Sequence, residues 1–161
     1  MKSATLVGIL MLAASLHANA QVEQLYGTWR LLSWTREVVV TGEKVDVFGK
    51  APHGVLSLGR DGRMLVLIVR DNRAKPADLA KMTDQERADL FKTMAAYGGT
   101  FKVEGSRLVT NVDISWNENW TGTLQPRTFK IDGRKLFFSV DPQIGVDGRQ
   151  VTVVLTWEKV Q

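Results

Sequence analysis

The chain has 161 residues, of which 44% are apolar and 24% charged, with a formal net charge of +4 and no cysteine. That is one domain's worth of sequence with enough apolar residues for a real core, which excludes wholesale disorder, collagen-like repeats and a multi-span membrane protein. It also excludes disulfides, thiolate zinc sites, iron–sulfur clusters and cysteine nucleophiles, and leaves only His17 and His53 for imidazole chemistry.

Residues 1–20 read as a secretory leader. Lys2 supplies the charged start, Thr5–Leu16 an apolar stretch too short to span a bilayer core of about 30 Å, and Ala18-Asn19-Ala20 an A-x-A cleavage pattern. The expectation is a periplasmic or secreted protein whose mature chain begins at Gln21, without a membrane span once the leader is removed. An N-terminal amphipathic or core helix is the competing reading.

Residues 21–161 read as one β domain. Runs rich in β-branched and aromatic residues predict eight strands: Trp29–Val40, Val55–Leu58, Met64–Arg70, Thr100–Val103, Leu108–Trp116, Thr121–Ile131, Lys135–Val140 and Gln150–Val160. Asp61-Gly62, Asp132-Gly133 and Asp147-Gly148 each precede an arginine and predict tight hairpins, with type I′ turns as the expected form. Between the third and fourth strands, Pro76–Tyr97 breaks the pattern. Thr83-Asp84-Gln85-Glu86 is a capping box. Leu90, Phe91, Met94, Ala95 and Tyr97 cluster at helical spacing, and Gly98-Gly99 reads as the stop. The helix is expected to pack on the sheet, plug a barrel end, or act as a lid over a ligand mouth.

Eight antiparallel strands with short connections leave two exposed edges unless the sheet closes. An eight-stranded up-and-down barrel removes both and is wide enough for one small ligand; a two-sheet sandwich is the alternative.

No nucleic-acid partner is expected, because lysines and arginines are scattered among acids without a run of three. No hydrolase elbow, phosphate loop, dinucleotide fingerprint or calcium loop is present. His53 follows Pro52 and reads as a surface-loop residue rather than a triad member. Neither a metal nor another cofactor is expected.

Several motifs in order resemble the bacterial and fungal lipocalin-like domain family, a calycin-like β-barrel. They begin with Gly27-Thr28-Trp29, Leu32-Ser33-Trp34, Phe48-Gly49, Gly54-Val55-Leu56 and Asp61-Gly62-Arg63-Met64. They continue with Tyr97-Gly98-Gly99-Thr100-Phe101, Asn119 to Arg127, and Leu155-Thr156-Trp157-Glu158. The resemblance implies a lipocalin-like barrel, with Trp29 of the G-x-W signature closing its base, and implies little about activity. Some fungal relatives are associated with cyclisation chemistry. Relatives often carry histidine on the fifth strand where this chain has Asn111, which counts against a borrowed proton-transfer role.

In such a barrel one face of each strand lines the interior. Placing Arg127 inside puts Gln125 and Phe129 inside with it, as polar anchors and wall of an otherwise apolar cavity. Asn111 and Asp113 are then expected as polar neighbours on the preceding strand, Trp34 as part of the wall, and Tyr97 at the mouth. A guanidinium suits a carboxylate or enolate-like ligand; internal pairing of Arg127 with Asp113, or exposure, is the alternative. The leading expectation is a small, mainly hydrophobic ligand. The alternatives are a cofactor-free enzyme catalysing a non-redox cyclisation or isomerisation, with Arg127 stabilising oxyanion charge, and a structural or envelope-stress protein with a filled core. The sequence names no catalytic residue and no oligomeric state.

Overall fold

In the fourth strand of the chain, Met64, Val66 and Ile68 are buried while Leu65 and Leu67 are exposed. That period of two recurs along the barrel strands and gives each of them one core-facing side. The computed structural model describes residues 21–145 and 148–160. The expected leader, and Asp147 of the third Asp-Gly pair, lie outside the described residues.

The strands are β1 (Gly27–Val38), β2 (Lys44–Asp46), β3 (His53–Leu58), β4 (Arg63–Val69), β5 (Met94–Glu104), β6 (Arg107–Ser115), β7 (Leu124–Asp132), β8 (Lys135–Ile144) and β9 (Gln150–Lys159). From β3 to β9 each pairs antiparallel with the next, β1 pairs with β3, and β9 returns to pair with β1. The result is a closed eight-stranded antiparallel barrel. The three-residue β2 is additional to the expected set and pairs only with β1, opposite Thr35, Arg36 and Glu37. His53 opens β3 rather than sitting in a loop, and is exposed.

The tight turns use glycine differently from the type I′ expectation. Glu104 pairs with Arg107, and Asp132 with Lys135, so Gly105-Ser106 and Gly133-Arg134 are two-residue loops. Only the glycine in each has positive φ (61° and 56°). That is the requirement of a type II′ turn, whereas I′ needs positive φ at both central residues.

The capping box forms as read: Thr83 accepts from the Glu86 N–H while the Glu86 carboxylate accepts from the Thr83 N–H. The helix runs Asp84–Lys92, between the third and fourth barrel strands, and buries none of its residues. It neither plugs the barrel nor covers the cavity. It also ends earlier than its apolar spacing predicts. Met94, Ala95 and Tyr97 belong to β5, where the ladder to Val69, Ile68 and Val66 supplies their backbone partners.

Gly98 and Gly99 therefore do not stop a helix. They lie inside β5 at an irregularity in the β5–β6 register, where Gly98 pairs with Ile114 and Gly99 with Val112, leaving Asp113 as the extra residue. A Cβ on Gly99 would sit 2.0 Å from the Asn111 carbonyl oxygen, so only glycine allows this approach.

One end of the barrel is solid. Leu25, Trp29, Leu56, Leu58, Phe101, Leu108, Phe129, Leu136 and Trp157 form its buried core. Residues 21–25 are helical and turn under this base. The Trp29 indole N–H donates to the Leu25 carbonyl at 2.8 Å. Lys159 Nζ donates to the Gln24 and Tyr26 carbonyls and lies 4.4 Å from the Trp29 ring centre.

Candidate functional site

The opposite end is hollow. A cavity of about 330 Å³ lies inside the barrel, with Ala95, Trp120 and Gln143 towards the rim and Met64 and Trp157 towards the floor. Its walls are mainly Val66, Ile68, Val140, Val153 and Leu155, with Trp34, Tyr97, Thr110, Trp120, Gln125, Arg127, Gln143 and Trp157 as the lining residues that carry side-chain nitrogen or oxygen. The volume falls within the range of small-molecule pockets, roughly 300–1,000 Å³.

Trp34 reaches the wall through a backbone irregularity. The β1–β9 register shifts between Leu31 and Ser33. Before the shift, Trp29 and Leu31 face the core; after it, Trp34 and Val38 do. Strict alternation from Trp29 would have turned Trp34 outward, so the bulge re-aims the ring. Trp34 then packs against Phe48, with ring centres 4.5 Å apart.

At the rim, Trp120 sits on a short 3₁₀ turn, Glu118–Trp120, in the β6–β7 connection. It stands edge-on to both Tyr97 (ring centres 5.3 Å) and Trp116 (5.0 Å), arrangements favoured by aromatic quadrupoles. Burial pushes the Tyr97 hydroxyl above its ordinary pKa, with nearby Arg127 opposing the shift, so it is a neutral phenol at physiological pH.

Of the residues expected from sequence, Trp34, Tyr97, Gln125 and Arg127 line the cavity. Phe129 is on the same face of β7 but deeper, packed into the solid core opposite Phe138. Asn111 and Asp113 are on the outside of the barrel. Register decides this. Arg127 pairs with Leu108, and Gln125 with Thr110, and residues directly opposite one another share a face. The inner face of β6 is thus Leu108, Thr110 and Val112, all buried, while Asn111 pairs with exposed Leu124.

Asp113 is engaged elsewhere, in a bidentate ion pair with Arg63 on the outer surface, which lowers the Asp113 pKa. The expected internal Arg127–Asp113 pair does not exist. Arg127 donates to the Pro126 carbonyl (2.7 Å) and to Gln125 Oε1 (3.4 Å), and no carboxylate reaches it among the described residues.

Thr110 was absent from the expected set although the same alternation that buries Leu108 and Val112 carries it inward. Trp120 and Trp157, also outside the expected set, line the cavity as well. Among the described residues no group of three or more histidine or acidic side chains is placed to hold a metal ion, and no helix is long and apolar enough to cross a membrane.

A closed barrel solid at one end and hollow at the other, with a few polar groups inside an apolar wall, defines a small-molecule-binding β-barrel. The lipocalin-like domain model matches residues 26–160, and the chain belongs to that family. It is also similar to the 4'-hydroxy-3'-methoxypropiophenone carrier protein of Aspergillus oryzae, at 34% identity over 86 residues, covering 48% of this chain and 78% of the relative. The lipocalin-like domain and a distant homologue named as a carrier support small-molecule binding in general.

Proposed function

We propose that the protein holds a small, mainly hydrophobic molecule in the barrel cavity and acts as a carrier or sequestering protein. The observation that carries this reading is the half-buried Arg127 lining the 330 Å³ cavity, with no carboxylate partner among the described residues. A cation facing a mainly apolar cavity without a counter-charge is well placed to meet a polar group of a ligand. The carrier function named for the fungal relative is consistent with this use of the barrel. Native mass spectrometry of protein purified from its host tests the proposal: a co-purifying small molecule is expected, with its occupancy reduced by Ala95→Phe, which would narrow the cavity near its rim. Protein that arrives empty and binds no aromatic probe would overturn it.

The enzyme alternative has less support. Among the described residues the wall contains no histidine, aspartate, glutamate or lysine. Proton transfer would fall to Tyr97, which burial keeps protonated.

Export is part of the same proposal. It rests on Lys2, the apolar stretch Thr5–Leu16 and the Ala18-Asn19-Ala20 cleavage pattern. Cleavage after Ala20 would retain the helical residues 21–25 that support the base. Intact-mass measurement of exported protein should give a chain beginning at Gln21; an exported chain still carrying Met1 would refute it.

A further inference from the structure

The indole N–H groups of Trp34 and Trp157 are buried and have no hydrogen-bond partner among the described residues, and both tryptophans line the cavity. Trp157 is only 1% exposed. An indole N–H can donate but never accept. Leaving such a donor dry and unmatched carries a real penalty, and most proteins avoid it.

Most of the rest of the polar wall has the same bias; the exception is the Gln143 amide, which can donate or accept and is exposed at the rim. Arg127 can only donate, and its two protein acceptors leave most of its five N–H groups uncommitted. The Gln125 amide is already used in both senses, its Nε2 donating to Thr123 Oγ1 at 3.0 Å and its Oε1 accepting from Arg127. The hydroxyls of Tyr97 and Thr110 can donate or accept. Among the described residues no carboxylate lines the cavity.

The donors are also separated along the barrel. Arg127 and Gln125 lie towards the mouth, whereas Trp157 lies at the floor, paired with Leu31 and Leu136. We infer that the ligand is an apolar body whose polar groups are hydrogen-bond acceptors, a carbonyl, ether or carboxylate oxygen, met by Arg127 towards the mouth and by the Trp34 and Trp157 indoles deeper in, and that the cavity discriminates against amines. This rests on the cavity-binding proposal and goes beyond it by fixing the polarity of the ligand.

Four probes of similar size separate the possibilities by isothermal titration calorimetry: pentylbenzene, butyrophenone, phenylbutanoate and phenylbutylamine. The ketone and the carboxylate should bind about tenfold or more tighter than pentylbenzene, and the amine most weakly. Arg127→Leu should reduce carboxylate affinity by about tenfold or more and leave pentylbenzene unchanged. Trp34→Phe, which replaces the indole by a smaller aromatic ring without an N–H, should weaken the ketone more than the hydrocarbon. If pentylbenzene or the amine binds as tightly as the ketone and carboxylate, the donor-matching inference is wrong while cavity binding stands. If none of the four binds, the cavity proposal fails and this inference fails with it.

Discussion

The two ends of the barrel are built from the same strands with the same alternation, yet one is solid and the other hollow. At the base, Trp29, Leu58, Phe101 and Leu136 meet across the axis, and the turn carrying Leu25 closes beneath them. In the hollow part many inward positions are short, Val66, Ile68, Ala95, Thr110, Val140 and Val153, and these leave space between the longer Trp34, Tyr97 and Arg127. A barrel of eight strands is just wide enough for side-chain size to make this choice. Whether the interior is core or container is therefore decided position by position along each strand, and not by the fold.

Trp29→Ala should give the largest effect. It deletes a buried ring, its hydrogen bond to Leu25 and its contact with Lys159. A loss of about 3–5 kcal/mol in denaturant unfolding is expected. A loss below about 1 kcal/mol would mean that the base is not the stabilising end.

Ala95→Phe adds a ring on the hollow side. In a filled core, overpacking costs about 1–3 kcal/mol. Here the ring has space, so stability should change by less than about 1 kcal/mol while butyrophenone affinity falls by about tenfold or more. A large stability loss with binding intact would contradict the assignment of this end as the container.

Arg127→Leu distinguishes an unpaired cation from one partner of an ion pair. Breaking a buried pair costs about 3–5 kcal/mol because a charge is left stranded. No carboxylate is stranded here, since Asp113 is held by Arg63 outside. Thermal or chemical unfolding should therefore change by no more than about 1 kcal/mol.

The smallest effect is on pH dependence. Burial raises the Tyr97 pKa above the ordinary tyrosine value of 10.0. The folded state then holds this proton more tightly than the unfolded state. The associated stability is complete below pH 10.0 and is lost as pH rises from there through the folded-state value. Unfolding midpoints measured across that alkaline range should fall less steeply in Tyr97→Phe than in the parent protein. Identical slopes would place Tyr97 in water.

How much of this was legible in the sequence depended on how local the signal was. Strand runs, glycine turns and the Thr83–Glu86 capping box are local, and they led to the closed barrel and its inserted helix. The helix end was not legible, because Met94, Ala95 and Tyr97 satisfy helical spacing while Ala95 and Tyr97 also alternate as a strand. Only the ladder to β4 decides between them. In the site, period two carried Gln125 along with Arg127. Asn111 and Asp113 needed the β6–β7 register, a pairing between strands that neither strand states alone. The inward turn of Trp34 likewise follows from a bulge with no distinctive residue.

Lys159 grips the carbonyls of Gln24 and Tyr26 at the base, which brings the beginning and end of the domain side by side at the face furthest from the mouth. A handle attached at either point would leave the opening unobstructed, so the protein could be anchored to a bead or fused to another domain and still sample its surroundings. The same adjacency makes the fold suited to being joined there and reopened at the exposed Gly105-Ser106 turn, yielding a permuted chain with the same interior.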